Sequence, residues 1–323
     1  MTKNSTQLLP VAIMAHNEEK VIRRAIASVL TQKSPMGYSV KAFVVANGCN
    51  DRTEEMVTSL QRENPDQVEL LSIMEKGKTR AINTAIDHFR QLSAAGLQIV
   101  YVIFLDADCE FNGDDVLVRF LKRFKDNPDL AAVGAHCVPD ALFDGRKDLV
   151  ADIYRTVYKL GESLQINSIS GMCYAIKYPI LNKIEFPNIQ FNEDMYVSSR
   201  LDGWFLRDRK IQVVFRTPNN LKNELRRRTR QEVSTQRYHE YYSSLKGKGI
   251  RVTLQEKPLH QDYRWFGATD NHLLRIWPSL KGIRPKMLIM AYGLMRLWAK
   301  INAYFILRKV RTNQELDFWK IVR

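Results

Sequence analysis

Along the first 125 residues, short apolar runs alternate with stretches whose apolar residues recur every three or four positions. Leu9-Pro10-Val11-Ala12-Ile13-Met14-Ala15 predicts a first strand with Pro10 near its start. Ile22, Ile26, Val29 and Leu30 then share one helical face. Asn17 is the expected N-cap of that helix, with Glu18 and Glu19 in its first turn. Val40 to Val45 predicts a second strand, Glu54 to Leu60 a helix and Val68 to Ile73 a third strand. A helix burying Ile82, Ala85, Ile86 and Phe89 follows. The fourth strand is Ile99 to Leu105, seven apolar residues in a row, as in a strand covered on both faces. Val116, Leu117, Phe120, Leu121 and Phe124 mark the next helix, and Ala131 to Val138 a fifth strand. Strands alternating with helices in this way predict a parallel, doubly wound sheet.

The second half is less regular. Leu149, Ile153, Val157 and Leu160 stand at helical spacing within residues 140 to 165. Ser168 to Ile176 reads as a small-residue turn entering a strand. A helix opening at Asn192 is expected to carry Met195, Val197, Leu201 and Phe205, and Ile211 to Phe215 a further strand. Lys246 to Lys257 is basic and loop-like. Met287 to Val310 is apolar but broken by Arg296, Lys300, Arg308 and Lys309, which predicts an amphipathic helix and not a span. Three settings fit it: its own domain, an anionic bilayer in peripheral membrane contact, or a second copy in a homo-oligomer.

Composition narrows the classes. With 323 residues, 45% of them hydrophobic, the chain can bury a large core. A net charge of +14 favours an anionic partner. The four cysteines are scattered without metal-site spacing, which suits free thiols in a reducing compartment. Met1 to Gln7 is polar and has no signal-peptide core, so a cytoplasmic location is expected.

The candidate chemistry gathers where strands end. Asp106 and Asp108, two apart, face the same way if the chain stays extended, and open α/β sheets bind ligands at that edge. A divalent cation would relieve their repulsion; an ordinary strand-to-loop turn would look the same. Three cations around Gly77, namely Lys76, Lys78 and Arg80, suit either a phosphate or a solvated loop. Glu193 and Asp194 at a helix start satisfy the helix dipole on their own. The arginines of Arg226-Arg227-Arg228-Thr229-Arg230 form either a solvated helix face or a site for phosphates.

Taken together and in order, His16-Asn17-Glu18, Asn47-Gly48-Cys49-Asn50-Asp51-Arg52-Thr53, Lys76-Gly77-Lys78-Thr79-Arg80-Ala81-Ile82-Asn83 and Asp106-Ala107-Asp108 resemble a family 2 glycosyltransferase of the GT-A fold. The resemblance covers about two-thirds of the chain and implies the rest of this paragraph. Ala15, His16, Asn17, Glu18, Asn47, Asp51, Lys76, Lys78, Asp106 and Ala107 would bind a nucleotide-diphosphate sugar donor. Asp106 and Asp108 would hold Mn2+ or Mg2+, with His239 as a further metal contact or an ordinary surface histidine. Ser170, Gly171 and Met172 would lie beside the acceptor, or form a close-packed turn that needs its glycine. Asp194 would be the catalytic base of an inverting transfer to a hydroxyl acceptor, with Glu193 orienting. Ala46-Asn47 stands where the family often has an acidic pair, which leaves the base, uracil or guanine, open. Processive members carry a Gln-x-x-Arg-Trp motif near residues 226 to 242; the chain is read as having no such motif, and transfer of a single sugar is expected on that ground.

The expected architecture is therefore a GT-A-like, mostly parallel α/β domain over residues 1–220 with a C-terminal helical extension over 221–323. The nucleotide half would span about residues 7 to 110 and the acceptor half about 111 to 220. A sugar-nucleotidyltransferase is the second enzyme reading, but it would want a Gly-rich loop where His16-Asn17-Glu18-Glu19 stands. A non-catalytic basic module binding membrane or nucleic acid is the third. The carboxylates Asp106, Asp108 and Asp194 speak against it, so no nucleic-acid partner is expected.

Overall fold

A computed structural model describes residues 6–161, 169–189, 191–201, 204–248, 277 and 280–312. The described residues fall into two compact units, one within residues 1–138 and 167–215 and the other within 139–166, 216–252 and 260–323.

The first unit is built on one sheet, eight-stranded among the described residues. Strands β1 (Gln7–Ala15), β2 (Tyr38–Asn47), β3 (Val68–Ile73) and β4 (Tyr101–Asp106) alternate with helices α1 (Ile22–Leu30), α2 (Thr53–Glu63) and α3 (Lys78–Ala94). They pair in parallel in the order β3-β2-β1-β4, as the alternation predicts. Their interior residues are buried because helices cover both faces: Leu9, Val11, Ile13, Ala42, Val44, Ile103 and Leu105 join one apolar core with Ile22 and Ile26 of α1. Pro10 sits inside β1 and not at its start; the continuous pairing with β4 begins only at Val11, so a missing N–H is tolerated there.

Past β4 the sheet becomes mixed. Residues Cys109–Phe111 form a short strand, β5, missed in the sequence because three residues are too few to show alternation. After α4 (Val116–Asp126) come β6 (Ala132–Pro139), β7 (Cys173–Lys177) and, beyond α6 (Tyr178–Leu181) and α7 (Glu193–Leu201), β8 (Phe205–Phe215). β7 runs antiparallel to both β4 and β6, and β5 antiparallel to β8. Phe205, expected on a helix, opens β8 instead.

Asn17 is not the N-cap of α1. It adopts a left-handed φ of 60°, and its Oδ1 accepts the Asn50 N–H at 2.8 Å. The helix starts five residues later, at Ile22, where the Glu18 carbonyl accepts from Val21 and Ile22, so Glu18 and Glu19 precede its first turn.

The second unit contains a 3-10 turn at Asp140–Leu142, α5 (Leu149–Gly161) and α8 (Leu221–Gly247). Its last described element is a 30-residue helix, α9 (Ile283–Thr312), where the apolar pattern predicts one. α9 packs on α8, with Val233 of α8 against Ala303, Ile306 and Leu307. The basic run at 226–230 lies on α8, where the buried Glu224 pairs with Arg227 and Arg228. Most of the expected loop at 246–257 lies outside the described residues. None of the described helices is long and apolar enough to cross a membrane, and all four cysteines are free.

Tyr174 of β7 stacks on Phe104 of β4, ring centroids 5.0 Å apart, yet its buried hydroxyl has no hydrogen-bond partner among the described residues. An unsatisfied buried hydroxyl costs stability that a phenyl ring does not. Tyr174→Phe is therefore expected to raise unfolding stability by about 1 kcal/mol in urea denaturation. A loss of that size would show instead that the hydroxyl is held.

Candidate active site

The carboxyl edge of the parallel strands carries the residues singled out for the donor, and hydrogen bonds join their loops. Ala15 closes β1, and its carbonyl accepts from Asn47 Nδ2 at 2.7 Å. Asn47 Oδ1 accepts the Gly77 N–H at 3.1 Å, so this buried amide links the ends of β1 and β2 to the start of α3. His16 Nδ1 lies 2.7 Å from the Asn47 carbonyl. A carbonyl only accepts, so Nδ1 is the donor in this bond. Glu18 N–H donates to Thr53 Oγ1 at 2.8 Å, and Glu19 N–H to Asp51 Oδ2 at 3.1 Å. Burial raises the Asp51 pKa, but donors from the Thr53 hydroxyl and N–H and the Glu19 N–H outweigh it and hold the group below the usual range.

Gly48 has to be glycine. Its φ is +56°, and a Cβ would stand 2.6 Å from Lys76 Cγ and 3.0 Å from the Met74 carbonyl oxygen. The close approach seats the half-buried Lys76 against the β2 loop.

Lys78, the first residue of α3, ties the two halves of the edge together. Its Nζ lies 2.6 Å from Asp106 Oδ1, 2.5 Å from Glu193 Oε1 and 3.1 Å from the Gly171 carbonyl. All three ammonium protons thus have an acceptor. Burial alone would lower the Lys78 pKa; Asp106 and Glu193 overcome that and hold it well above its ordinary value. The resemblance supplied Lys78 as a donor-binding residue, but nothing in the sequence shows its ion pairs, whose partners come from β4 and α7.

Asp106 ends β4, and its N–H donates to the Met172 carbonyl at 2.8 Å. Its pKa rises to about 7, driven first by burial and then by Asp108 and Glu193, against the pull of Lys78. Asp108 is exposed in the turn between β4 and β5. The extended geometry used to pair the two carboxylates therefore stops at Asp106; the turn, with Ala107 buried beneath it, brings Asp108 close enough to repel.

Gly171 is the close approach on the acceptor side. A Cβ there would lie 2.7 Å from Glu193 Oε1 and 3.3 Å from Asp194 Cβ, so the small residue lets α7 press its first turn onto the loop before β7. Asp194 Oδ2 accepts the Gly171 N–H at 3.3 Å and Oδ1 accepts the Met195 N–H at 2.8 Å. Burial, then the Glu193 charge, lifts the Asp194 pKa to about 6, opposed by Lys78 and these N–H donors. Ser170 Oγ lies 2.9 Å from Cys137 Sγ and accepts the Met172 N–H at 3.4 Å. His239 is on α8 in the second unit, exposed, its ring 5.6 Å from that of Tyr238.

No group of three or more His, Cys, Asp or Glu among the described residues forms a metal cage. Two carboxylates, one of them exposed, nevertheless fit a hard divalent cation that completes its shell with phosphate oxygens and water. The raised Asp106 pKa points the same way, since added positive charge would relieve the crowding.

Lys78→Met is expected to leave Asp106 and Glu193 without their counter-charge and to cost about 2–4 kcal/mol of stability near pH 8. Asp106, already raised, would then stand further above its unfolded pKa, a contribution present at low pH and lost as pH rises through the folded value. The deficit should therefore shrink toward pH of about 5 in paired urea denaturations. A deficit that does not change with pH would contradict the ion-pair role.

The family model described as glycosyl transferase family 2 matches residues 11–184, more than half of the chain. No curated protein matches. Among solved structures, a mannosyltransferase from Pyrobaculum calidifontis in complex with GDP-Man and Mn2+ is similar, with a TM-score of 0.54 at 18% identity. The likeness covers 97% of this chain and 78% of that one, and at this identity it shows the shared GT-A fold. The chain belongs to glycosyl transferase family 2 and is a glycosyltransferase.

Proposed function

We propose that the protein transfers a sugar from a nucleoside-diphosphate donor to a hydroxyl acceptor by direct displacement, inverting the anomeric carbon. The observation that carries this reading is the Lys78 ammonium joining Asp106, on the donor side, to Glu193, beside Asp194. A displacement needs those two jobs side by side: charge compensation at the leaving group and a base at the incoming hydroxyl.

Asp194 is the base. Its pKa near 6 leaves it ionised at neutral pH yet basic enough to take a proton in the transition state. As the acceptor oxygen bonds to the anomeric carbon and the bond to the diphosphate breaks, the acceptor proton passes to Asp194. Glu193, fixed by Lys78, holds the first turn of α7 in place. Asp106 and Asp108 are the metal-binding pair, and a bound Mn2+ or Mg2+ would offset charge on the departing diphosphate. His16, Asn17, Glu18 and Lys76 line the donor side with Ala15, Asp51 and Ala107. Asn47 serves by positioning Gly77, since its amide is engaged with backbone. The Pyrobaculum mannosyltransferase was solved with GDP-Man and Mn2+, which makes GDP-mannose the first donor to test.

Gln261-Asp262-Tyr263-Arg264-Trp265, outside the described residues, carries the Gln-x-x-Arg-Trp pattern of processive members, which corrects the reading that the chain has no such motif. The expectation of single-sugar transfer has no remaining basis, and product mass, one addition or a ladder, decides between the two.

Asp194→Asn should bind donor as the parent does while transfer falls by about 100-fold or more. Asp108→Ala should lose metal-dependent nucleotide binding. Calorimetric titration beside a product assay reads both; wild-type turnover by Asp194→Asn would remove Asp194 from the base role.

A further inference from the structure

We propose that α9 docks the protein on an anionic lipid bilayer through the face it turns away from α8. The helix is apolar on two opposite sides. Ile289, Met295, Ala299, Ala303, Ile306 and Leu307 are buried, the last three against Val233. On the other side Ile283, Met287, Leu294, Trp298, Ile301 and Phe305 recur at helical spacing, from 43% exposed at Trp298 to 77% at Ile283. One buried side is enough to hold a helix in a fold. A second continuous apolar stripe left in water is costly and marks a contact surface.

Charge selects the occupant. α9 has no aspartate or glutamate, and Arg284, Lys286, Arg296, Lys300, Arg308 and Lys309 stand along it. By helical angle Arg284 and Lys309 border one margin of the stripe, and Lys286 and Lys300 the other. Arg284 also pairs with Asp152 of α5 at 2.7 Å. A second copy would bring the same cations to the same margins with no carboxylate on either helix to meet them. An anionic bilayer satisfies both features: acyl chains take the stripe, Trp298 and Tyr304 suit the headgroup boundary, and lipid phosphates meet the flanking cations. The helix does not qualify as a span, so it lies in the plane of the surface over a length of about 45 Å. This inference is independent of the transfer reaction.

The test uses the full chain and sedimentation with two vesicle preparations, phosphatidylcholine alone and phosphatidylcholine containing phosphatidylglycerol. The parent should sediment with the anionic vesicles, less so as salt is raised, and remain largely in solution with phosphatidylcholine alone. Leu294→Glu combined with Ile301→Glu should lower partitioning about tenfold or more with an unchanged melting temperature, both positions being exposed. Should that pair melt early, Leu294→Ser with Ile301→Ser takes its place. Failure of the parent to sediment with anionic vesicles would overturn the proposal, as would equal binding to both preparations or by the double variant. A vesicle-free dimer that the same substitutions dissociate, without lipid binding, would assign the face to a second copy and overturn it too.

Discussion

One positive charge holds the carboxyl edge of the sheet together. Lys78 Nζ reaches a carboxylate at the end of a parallel strand, another at the start of α7 and a carbonyl in the turn before β7. Bringing Asp106, Asp108, Glu193 and Asp194 into one region is unfavourable unless a cation lies among them. The protein supplies that cation from the first residue of α3, and Asn47 fixes the Gly77 N–H just before it. Gly171 completes the arrangement by letting α7 approach without a clash. Strand end, helix start and glycine turn are thus parts of one electrostatic solution, and the raised pKa values of Asp106 and Asp194 are its residue.

The same reasoning separates what the two units contribute. In the first, charge is concentrated at a sheet edge whose core is closed on both faces. In the second, a helix buries one apolar side against α8 and keeps another exposed between rows of cations. The proposed transfer chemistry rests on the first pattern, the proposed lipid contact on the second.

Much of the fold was legible in the sequence because parallel strands buried on both faces leave long β-branched runs, and the helices between them keep a clear apolar stripe. Val68 to Ile73 matches its strand to the residue. Short or irregular pieces were not legible: β5 is too brief to alternate, and Phe205 was assigned to a helix because an apolar residue four beyond Leu201 continues the helical spacing. Asn17 fits an N-cap by residue type, but its left-handed backbone and its bond to the Asn50 N–H give it another task. Of the site, the carboxylates were visible as residue types at strand and helix ends. The bridge through Lys78 was not, because an ion pair between distant parts of a chain leaves no local pattern. The spacing argument for Asp106 and Asp108 placed both at the right edge for an incomplete reason, since the turn and not the pleat sets Asp108.

The central claim, a donor diphosphate bound through a metal at Asp106 and Asp108, is tested most directly by thermal shift. The full chain would be heated with UDP, GDP, CDP and dTDP, each with and without Mn2+. The account predicts that one diphosphate raises the melting temperature, and only when Mn2+ is present. No stabilisation by any of the four, with metal or without, from a chain that melts cooperatively would contradict it.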